Sequence, residues 1–129
     1  MTYLFQVDSQ GGIIAGQALP DWIVGDESIW SAQERAFYDA VSGRWTIYDP
    51  IVVEAPASIS VGTVFTTTVT LPTNSPDTEV TIKVDGQEFI LPVTNSQAKK
   101  DVKFNDAGEH SIEALSRHHG GTYVKVVAI

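Results

Sequence analysis

The chain has 129 residues, of which 43% are hydrophobic, and its formal net charge is −8 at pH 7. That length supports one well-buried core with a small appendage rather than two full-sized domains, and without any cysteine the core has no disulfide to stabilise it. An acidic chain repels phosphate, so we expect neither a nucleic-acid partner nor an anionic membrane surface, and no apolar run is long enough to span a bilayer.

The first predicted element is a β-hairpin. Tyr3 to Val7 has the pattern of a strand, residues 8–12 that of a turn, and residues 13–15 that of the returning strand. An isolated two-stranded ribbon is only marginally stable, so we expect this one to pack on a larger body. The segment that follows, 16–25, is irregular and apolar, and its Trp22 needs a groove to fill.

Residues 26–48 fit two interpretations. One is a helix over residues 31–43, which would begin with a capping box from Ser31 to Glu34. The other is a β-hairpin that turns at residues 41–44. The sequence leaves both open, and both make the four residues from Trp45 onward a strand.

The N-terminal part carries all three tryptophans of the chain. They form either a small core or an interface patch, because large aromatic side chains dominate the energetics of both. The residues that we expect to contact a partner are Tyr3, Phe5, Trp22, Trp30 and Trp45. Residues 1–56 have eight acids against two arginines, which gives −6, whereas residues 57–129 have eight acids against six bases, which gives −2. This asymmetry would direct the N-terminal part toward a basic surface.

The regular part of the chain begins at Ala57, after a short connector at 51–54 that lies between an Asp-Pro and an Ala-Pro pair. We therefore place the domain boundary after Pro56. Turn signals then recur at the spacing typical of a β-sandwich. The predicted strands are 58–61, 64–71, 80–84, 87–93, 99–104, 106–114 and 122–129. Alternation within them predicts a core made of Phe65, Val69, Ile82, Val84, Val102, Phe104, Ile112, Val124 and Val126.

The motif Asp106-x-Gly108-x-His110-x-Ile112 opens the sixth of these strands. It resembles the Asp-x-Gly-x-Tyr-x-Cys corner of immunoglobulin-like sandwiches, with His110 in the place of the tyrosine and Ile112 in that of a disulfide cysteine. The resemblance covers residues 57–129 and is to bacterial and phage immunoglobulin-like modules. It implies a mostly β protein whose C-terminal part is a seven-stranded antiparallel sandwich, and it predicts that His110 hydrogen-bonds a nearby backbone group.

A search for catalytic, cofactor and metal motifs finds none. Ser96-x-x-Lys99 would need a helical turn and partner motifs that the sequence lacks. His118 and His119 are adjacent, and on a strand they would point to opposite faces, which does not build a metal site. We therefore expect no enzymatic activity, no cofactor and no metal.

The resemblance also implies a function. It suggests an accessory protein of a tailed-phage particle, made in the host cytoplasm and assembled there, since residues 1–8 do not have the pattern of an export signal. We expect a capsid decoration protein or a small tail or fibre component, a homo-oligomer that contacts other virion proteins through residues 1–56 and displays residues 57–129. The alternatives are a carbohydrate-binding or host-surface-binding module and a fibre assembly chaperone or adaptor.

Overall fold

The computed structural model describes residues 3–8, 10–16 and 23–129. The chain divides into two compact units, Met1–Asp49 and Pro50–Ile129, which we call the N-terminal and the C-terminal unit. The division lies ahead of the boundary that the sequence predicted after Pro56, because the connector at 51–54 supplies a strand to the C-terminal unit.

The N-terminal unit begins with the predicted hairpin. Strand β1, Tyr3–Val7, pairs antiparallel with β2, Ile13–Gly16. A third strand, β3 at Ile23–Gly25, pairs with the other side of β1, so the ribbon is part of a sheet in the order β2-β1-β3. This third strand supplies the support that an isolated hairpin needs.

Helix and hairpin both occur in residues 26–48, one after the other. Helix α1 covers Glu27–Ser31, because the Asp26 carboxylate accepts hydrogen bonds from the N–H groups of Ser28 and Ile29 at 3.0 and 3.3 Å. Ser31 is therefore the last residue of the helix and not its cap. The predicted helix over 31–43 is wrong.

The hairpin interpretation is confirmed. A 3₁₀ turn at Gln33–Arg35 leads into β4, Ala36–Asp39, which pairs antiparallel with β5, Arg44–Ile47. Gly43 lies in the connecting turn with a φ of +71°, a backbone conformation that glycine adopts without steric cost. The four residues from Trp45 therefore lie largely in a strand, as predicted.

The C-terminal unit is a β-sandwich of two sheets, and all seven predicted strands are present. They are β7 (Ser58–Ile59), β8 (Val64–Thr70), β9 (Glu79–Val84), β10 (Gln87–Pro92), β11 (Gln97–Lys103), β12 (Gly108–Ser116) and β13 (Gly120–Ala128). The connector adds an eighth strand, β6 (Val52–Glu54). The sheet orders are β10-β9-β12-β13-β7 and β11-β8-β6. The pairing of β7 with β13 is parallel, so the sandwich is not wholly antiparallel.

The core of this unit lies between the two sheets. Of the predicted core residues, Phe65, Val84 and Val124 are partly buried and pack against it, and the others are buried. Asp85 and Gly86 both have positive φ, as the two central residues of a type I′ turn do, and they connect β9 to β10. Strand alternation thus predicted the interior of the sandwich correctly.

Candidate functional site

The aromatic residues predicted to bind a partner have different positions in the N-terminal unit. Phe5 is completely buried and forms the centre of that unit's core with Ile29 and Ala36. The Trp45 ring packs edge-on against Phe5 at 5.4 Å between centroids and is half-buried. Trp30 lies 6.2 Å from Phe5 and stays 38% exposed. Phe5 is thus a core residue, and Trp30 presents the most surface of the three.

Two members of the predicted set are not placed. Trp22 lies outside the described residues, and Tyr3 lies on β1 with its side chain outside the description. Among the side chains that the structure describes, Trp30 is therefore the main support for the hypothesis that aromatic residues of this unit contact a partner. Its indole borders a groove of about 370 Å³ that is lined by residues 30–35.

The tip of the β4–β5 hairpin is a second exposed apolar feature of this unit. Val41 is 98% exposed, although its backbone is held in place. Asp39 accepts hydrogen bonds from the Val41 N–H at 2.9 Å and from the Ser42 hydroxyl at 3.0 Å. The bond from the Val41 N–H, and to a smaller extent the bond from the Ser42 hydroxyl, lower the pKa of Asp39. A well-ordered turn thus presents an apolar side chain to solvent.

In the C-terminal unit, His110 lies at the predicted corner and makes the predicted contact. Its Nε2 lies 2.8 Å from the carbonyl oxygen of Asp106, and its Nδ1 lies 2.6 Å from the Asp85 carboxylate. The ring stacks on Phe104 at 3.9 Å between centroids. The hydrogen bond to Asp85 is the main reason that the pKa of His110 is raised.

The other two histidines lie in the turn between β12 and β13, outside the strands predicted at 106–114 and 122–129. His118 binds Asp77 twice, through its backbone N–H at 3.0 Å and its Nδ1 at 2.5 Å. Burial alone would raise the pKa of Asp77, but these bonds lower it. His119 is buried, and its Nε2 lies 2.6 Å from the Ser75 hydroxyl. The pairs therefore join this turn to the loop between β8 and β9.

The roles of Ser75 and Asp77 do not follow from the sequence pattern, because each lies more than forty positions from its histidine. In the sequence, residues 73–77 have only the composition of a loop. His118 and His119 do direct their rings to different partners, as adjacent residues on a strand would. The hydrogen bonds of these four side chains hold two loops together at one end of the sandwich.

Among the described residues, no three His, Asp or Glu side chains come together in an arrangement that could hold a metal ion. Lys99 lies on strand β11, and Ser96 precedes it in a turn with a φ of +64°, so the Ser-x-x-Lys spacing is not on a helix. Within the described ranges, no helix has the length and apolar character needed to cross a bilayer.

No family model and no curated protein matches this chain. Among solved structures, the fold is similar to that of a superoxide reductase (neelaredoxin) from Ignicoccus hospitalis. The TM-score is 0.45 and the identity 14%, over 70% of this chain and 87% of that one.

This neighbour corrects one expectation from the sequence. The absence of catalytic motifs led us to expect no enzymatic activity, but the similar structure is that of an enzyme. One sandwich architecture can carry both catalytic and purely binding functions, so we do not retain the exclusion of catalysis. A likeness this distant assigns no activity to this chain.

Proposed function

We propose that this chain is a structural component of a tailed-phage particle, either a capsid decoration protein or a small tail or fibre component. In this proposal the N-terminal unit attaches to other virion proteins, and the C-terminal sandwich is displayed. The phage context comes from the resemblance of residues 57–129 to phage immunoglobulin-like modules. The choice of attaching unit comes from the surfaces of the two units.

The observation that carries this choice is the exposure of Trp30. Its ring touches the core residue Phe5 yet remains 38% exposed beside the groove at 30–35. Tryptophan is enriched among the hot spots of protein interfaces, and a partner can desolvate the remaining apolar surface of an anchored ring with little loss of side-chain entropy. The fully exposed Val41 adds apolar surface to the same unit.

Charge supports the same assignment. Residues 1–49 carry seven acids against two arginines, a net charge of −5, and residues 50–129 carry nine acids against six bases, a net charge of −3. The N-terminal unit is thus the more acidic of the two relative to its length. Its charge would speed its association with a basic surface on the particle.

Two strand edges of the sandwich oppose attachment by strand addition. Strand β11 carries Lys99, Lys100 and Lys103, and the ammonium group of Lys100 lies over the Phe89 ring at 4.2 Å. Strand β10 ends at Pro92, which has no N–H to donate. Lysine and proline at edge strands are the usual means by which sheets avoid pairing with other proteins.

The test is a mass-spectrometric census of purified particles from the phage that encodes this chain. We expect the chain at stoichiometric copy number, and we expect Trp30→Ala to weaken its incorporation at least tenfold, as truncation of a hot spot does. The matched control is Ile90→Ala, which removes a 65% exposed apolar side chain from the sandwich. Absence of the chain from particles contradicts the proposal, and loss of incorporation in the control alone would move the attachment to the sandwich.

A further inference from the structure

Strand β13 has one edge that is only partly covered. Over its nine residues, Gly120–Ala128, it pairs with β12, but on its other side the two-residue strand β7 pairs only with Val127 and Ala128. In the part of the chain that the structure describes, no strand pairs with residues 120–126 on that side, although the Thr122 hydroxyl donates to the carbonyl oxygen of Ile51 at 2.8 Å. Unlike β10 and β11, this edge has neither a proline nor a lysine cluster.

The backbone groups along this edge can be assigned from the pairing with β7. The Val127 N–H donates to Ala57 and the Ile129 N–H donates to Ile59, both at 2.9 Å. Alternate residues of a strand direct their N–H and C=O groups to the same side. Gly121, Tyr123 and Lys125 therefore direct theirs to the uncovered edge.

We propose that two copies of this chain pair antiparallel through this edge, with a two-fold axis at Tyr123. In this register each Tyr123 exchanges two backbone hydrogen bonds with Tyr123 of the partner subunit. Lys125 does the same with Gly121 of the partner subunit. The two five-stranded sheets join into one, and a two-fold interface of this kind is closed, because each copy presents the same patch.

Side chains on the outer face complement each other in this register. Gly121 has no side chain, and a Cβ built there would lie 3.2 Å from Leu115 and 3.9 Å from the Glu113 carboxylate. Lys125 lies opposite this glycine of the partner, so its aliphatic stem can pass over the glycine backbone beside Leu115 and bring its ammonium group to Glu113 of the partner subunit. The symmetry forms this ion pair twice, on either side of the two tyrosine rings.

The groups that would form these contacts have only weak partners within one chain. The Lys125 side chain is 58% exposed, and its nitrogen lies 3.8 Å from Glu109. A carboxylate oxygen of Glu113 lies 4.0 Å from the Lys83 ammonium nitrogen. Tyr123 is 54% exposed. Exposed ion pairs at these distances contribute little, so exchanging them for contacts across an interface costs little.

The length of the uncovered edge also fits a second copy. Residue 119 of the partner would lie opposite Val127, where β7 begins to cover the edge. That residue belongs to the turn before β13, so the partner strand starts where the free edge stops. Pairing is thereby limited to residues 121–125, which gives a short and defined interface. This inference concerns the sandwich alone and is independent of the proposed function.

The experiment measures the mass of the full chain by analytical ultracentrifugation, from about 1 μM to about 1 mM, where weak homodimers associate. We expect the wild type to change from a 14.0 kDa monomer to a dimer across the series. Lys125→Glu and Glu113→Lys each place like charges across the interface and should weaken dimerisation at least tenfold. The matched control, Lys99→Glu on β11, makes the same charge change at another edge and should leave the dimer intact.

Mixing the two weakened variants gives the decisive result. In a mixed pair, the glutamate introduced at position 125 of one chain faces the lysine introduced at position 113 of the other. The second ion pair across the interface is the native one, Lys125 with Glu113, so we expect a 1:1 heterodimer. A wild type that stays monomeric throughout overturns the proposal. So does a dimer that survives both single substitutions, or a mixture that stays monomeric while thermal melts show both variants folded.

Discussion

Nδ1 of His110 lies 2.6 Å from Oδ2 of Asp85, and this contact joins the first residues of β12 to the turn after β9. The same chemistry recurs at the opposite ends of these strands, where His118 binds Asp77. Strands β9 and β12 are neighbours in the sheet, so a histidine–aspartate pair lies at each end of their shared ladder. The two pairs hold loops that are remote in sequence against the sandwich.

The first prediction is that the His110–Asp85 pair makes stability depend on pH in both directions. The pKa of His110 is raised above 6.5. The contribution of His110 to the free energy of unfolding is therefore complete below pH 6.5 and is lost as pH rises through the higher folded-state pKa. Burial opposes ionisation of Asp85, but its bonds to His110 and Ser111 lower its pKa below 3.8. The contribution of Asp85 to the free energy of unfolding is present above pH 3.8 and is lost as pH falls below 3.8. The pair therefore stabilises the folded state most between pH 3.8 and pH 6.5.

Asp85→Asn tests this prediction without changing the backbone. Asparagine tolerates the φ of +49° at this position, and its amide oxygen can still accept from the Ser111 N–H. By NMR titration, the pKa of His110 should fall toward 6.5, and the decline of the melting temperature as pH rises above 6.5 should flatten. Asp101→Asn on the other sheet is the control. An unchanged His110 titration in Asp85→Asn would contradict the assignment.

A second prediction compares two isoleucines on adjacent strands. Ile82 on β9 is completely buried, and Ile90 on β10 is 65% exposed. Ile82→Ala should lower the free energy of unfolding by about 2–5 kcal/mol, because it removes buried methyl groups and leaves a cavity. Ile90→Ala should change it by less than about 0.5 kcal/mol. Urea denaturation measures both, and similar losses in the two variants would be incompatible with this core.

A third prediction concerns a buried hydroxyl. Thr67 is completely buried, and its Oγ1 has no hydrogen-bond partner among the described residues. Thr67→Val keeps the shape and removes the polar atom, so it should raise the free energy of unfolding by about 1 kcal/mol. Thr68→Val, on the outer face of the same strand, is the matched control and should have a smaller effect. A loss of stability in Thr67→Val would mean that the hydroxyl has a partner in solution.

A fourth prediction compares two glycines with nearly equal φ. Gly11 (φ +87°) packs against β4 so closely that an added Cβ would lie 2.0 Å from the carbonyl oxygen of Tyr38, whereas Gly62 (φ +82°) has nothing within 4 Å. Gly62→Ala should lower the free energy of unfolding by about 1–2 kcal/mol, because only the strain of a left-handed backbone conformation is added. Gly11→Ala should lower the free energy of unfolding by more than that, because the backbone must also shift to make room for the methyl group.

Tryptophan fluorescence measures the Gly11 effect selectively, since all three tryptophans lie in the N-terminal unit. Gly11→Ala should shift the fluorescence midpoint in urea to lower concentration. The cost of Gly62→Ala is measured by far-ultraviolet circular dichroism, which reports the strands of the sandwich. An unshifted fluorescence midpoint in Gly11→Ala would show that the hairpin turn does not pack on β4 as described.

The sequence alone was sufficient where structure follows from neighbouring residues. Alternation with a period of two predicted the seven strands from residue 58 onward and the core between their sheets, because each strand has one face toward the interior. The pair Asp85-Gly86 is typical of the type I′ turn that it forms, and the corner motif predicted that His110 hydrogen-bonds a nearby backbone group, which is the Asp106 carbonyl. All of these interactions are local or repeat along one strand.

Only the tertiary structure decided which interactions prevailed between distant or competing segments. The Asp26 cap started helix α1 ahead of the capping box at Ser31, and β6 paired with β8 although its three residues resembled a connector. Phe5 became a core residue because β3 and α1 supply neighbours that cover it. The bond between Asp77 and His118 exists only because two loops meet at one end of the sandwich. The sequence pattern indicates which residues can be buried or hydrogen-bonded. The tertiary structure determines which distant residues they contact.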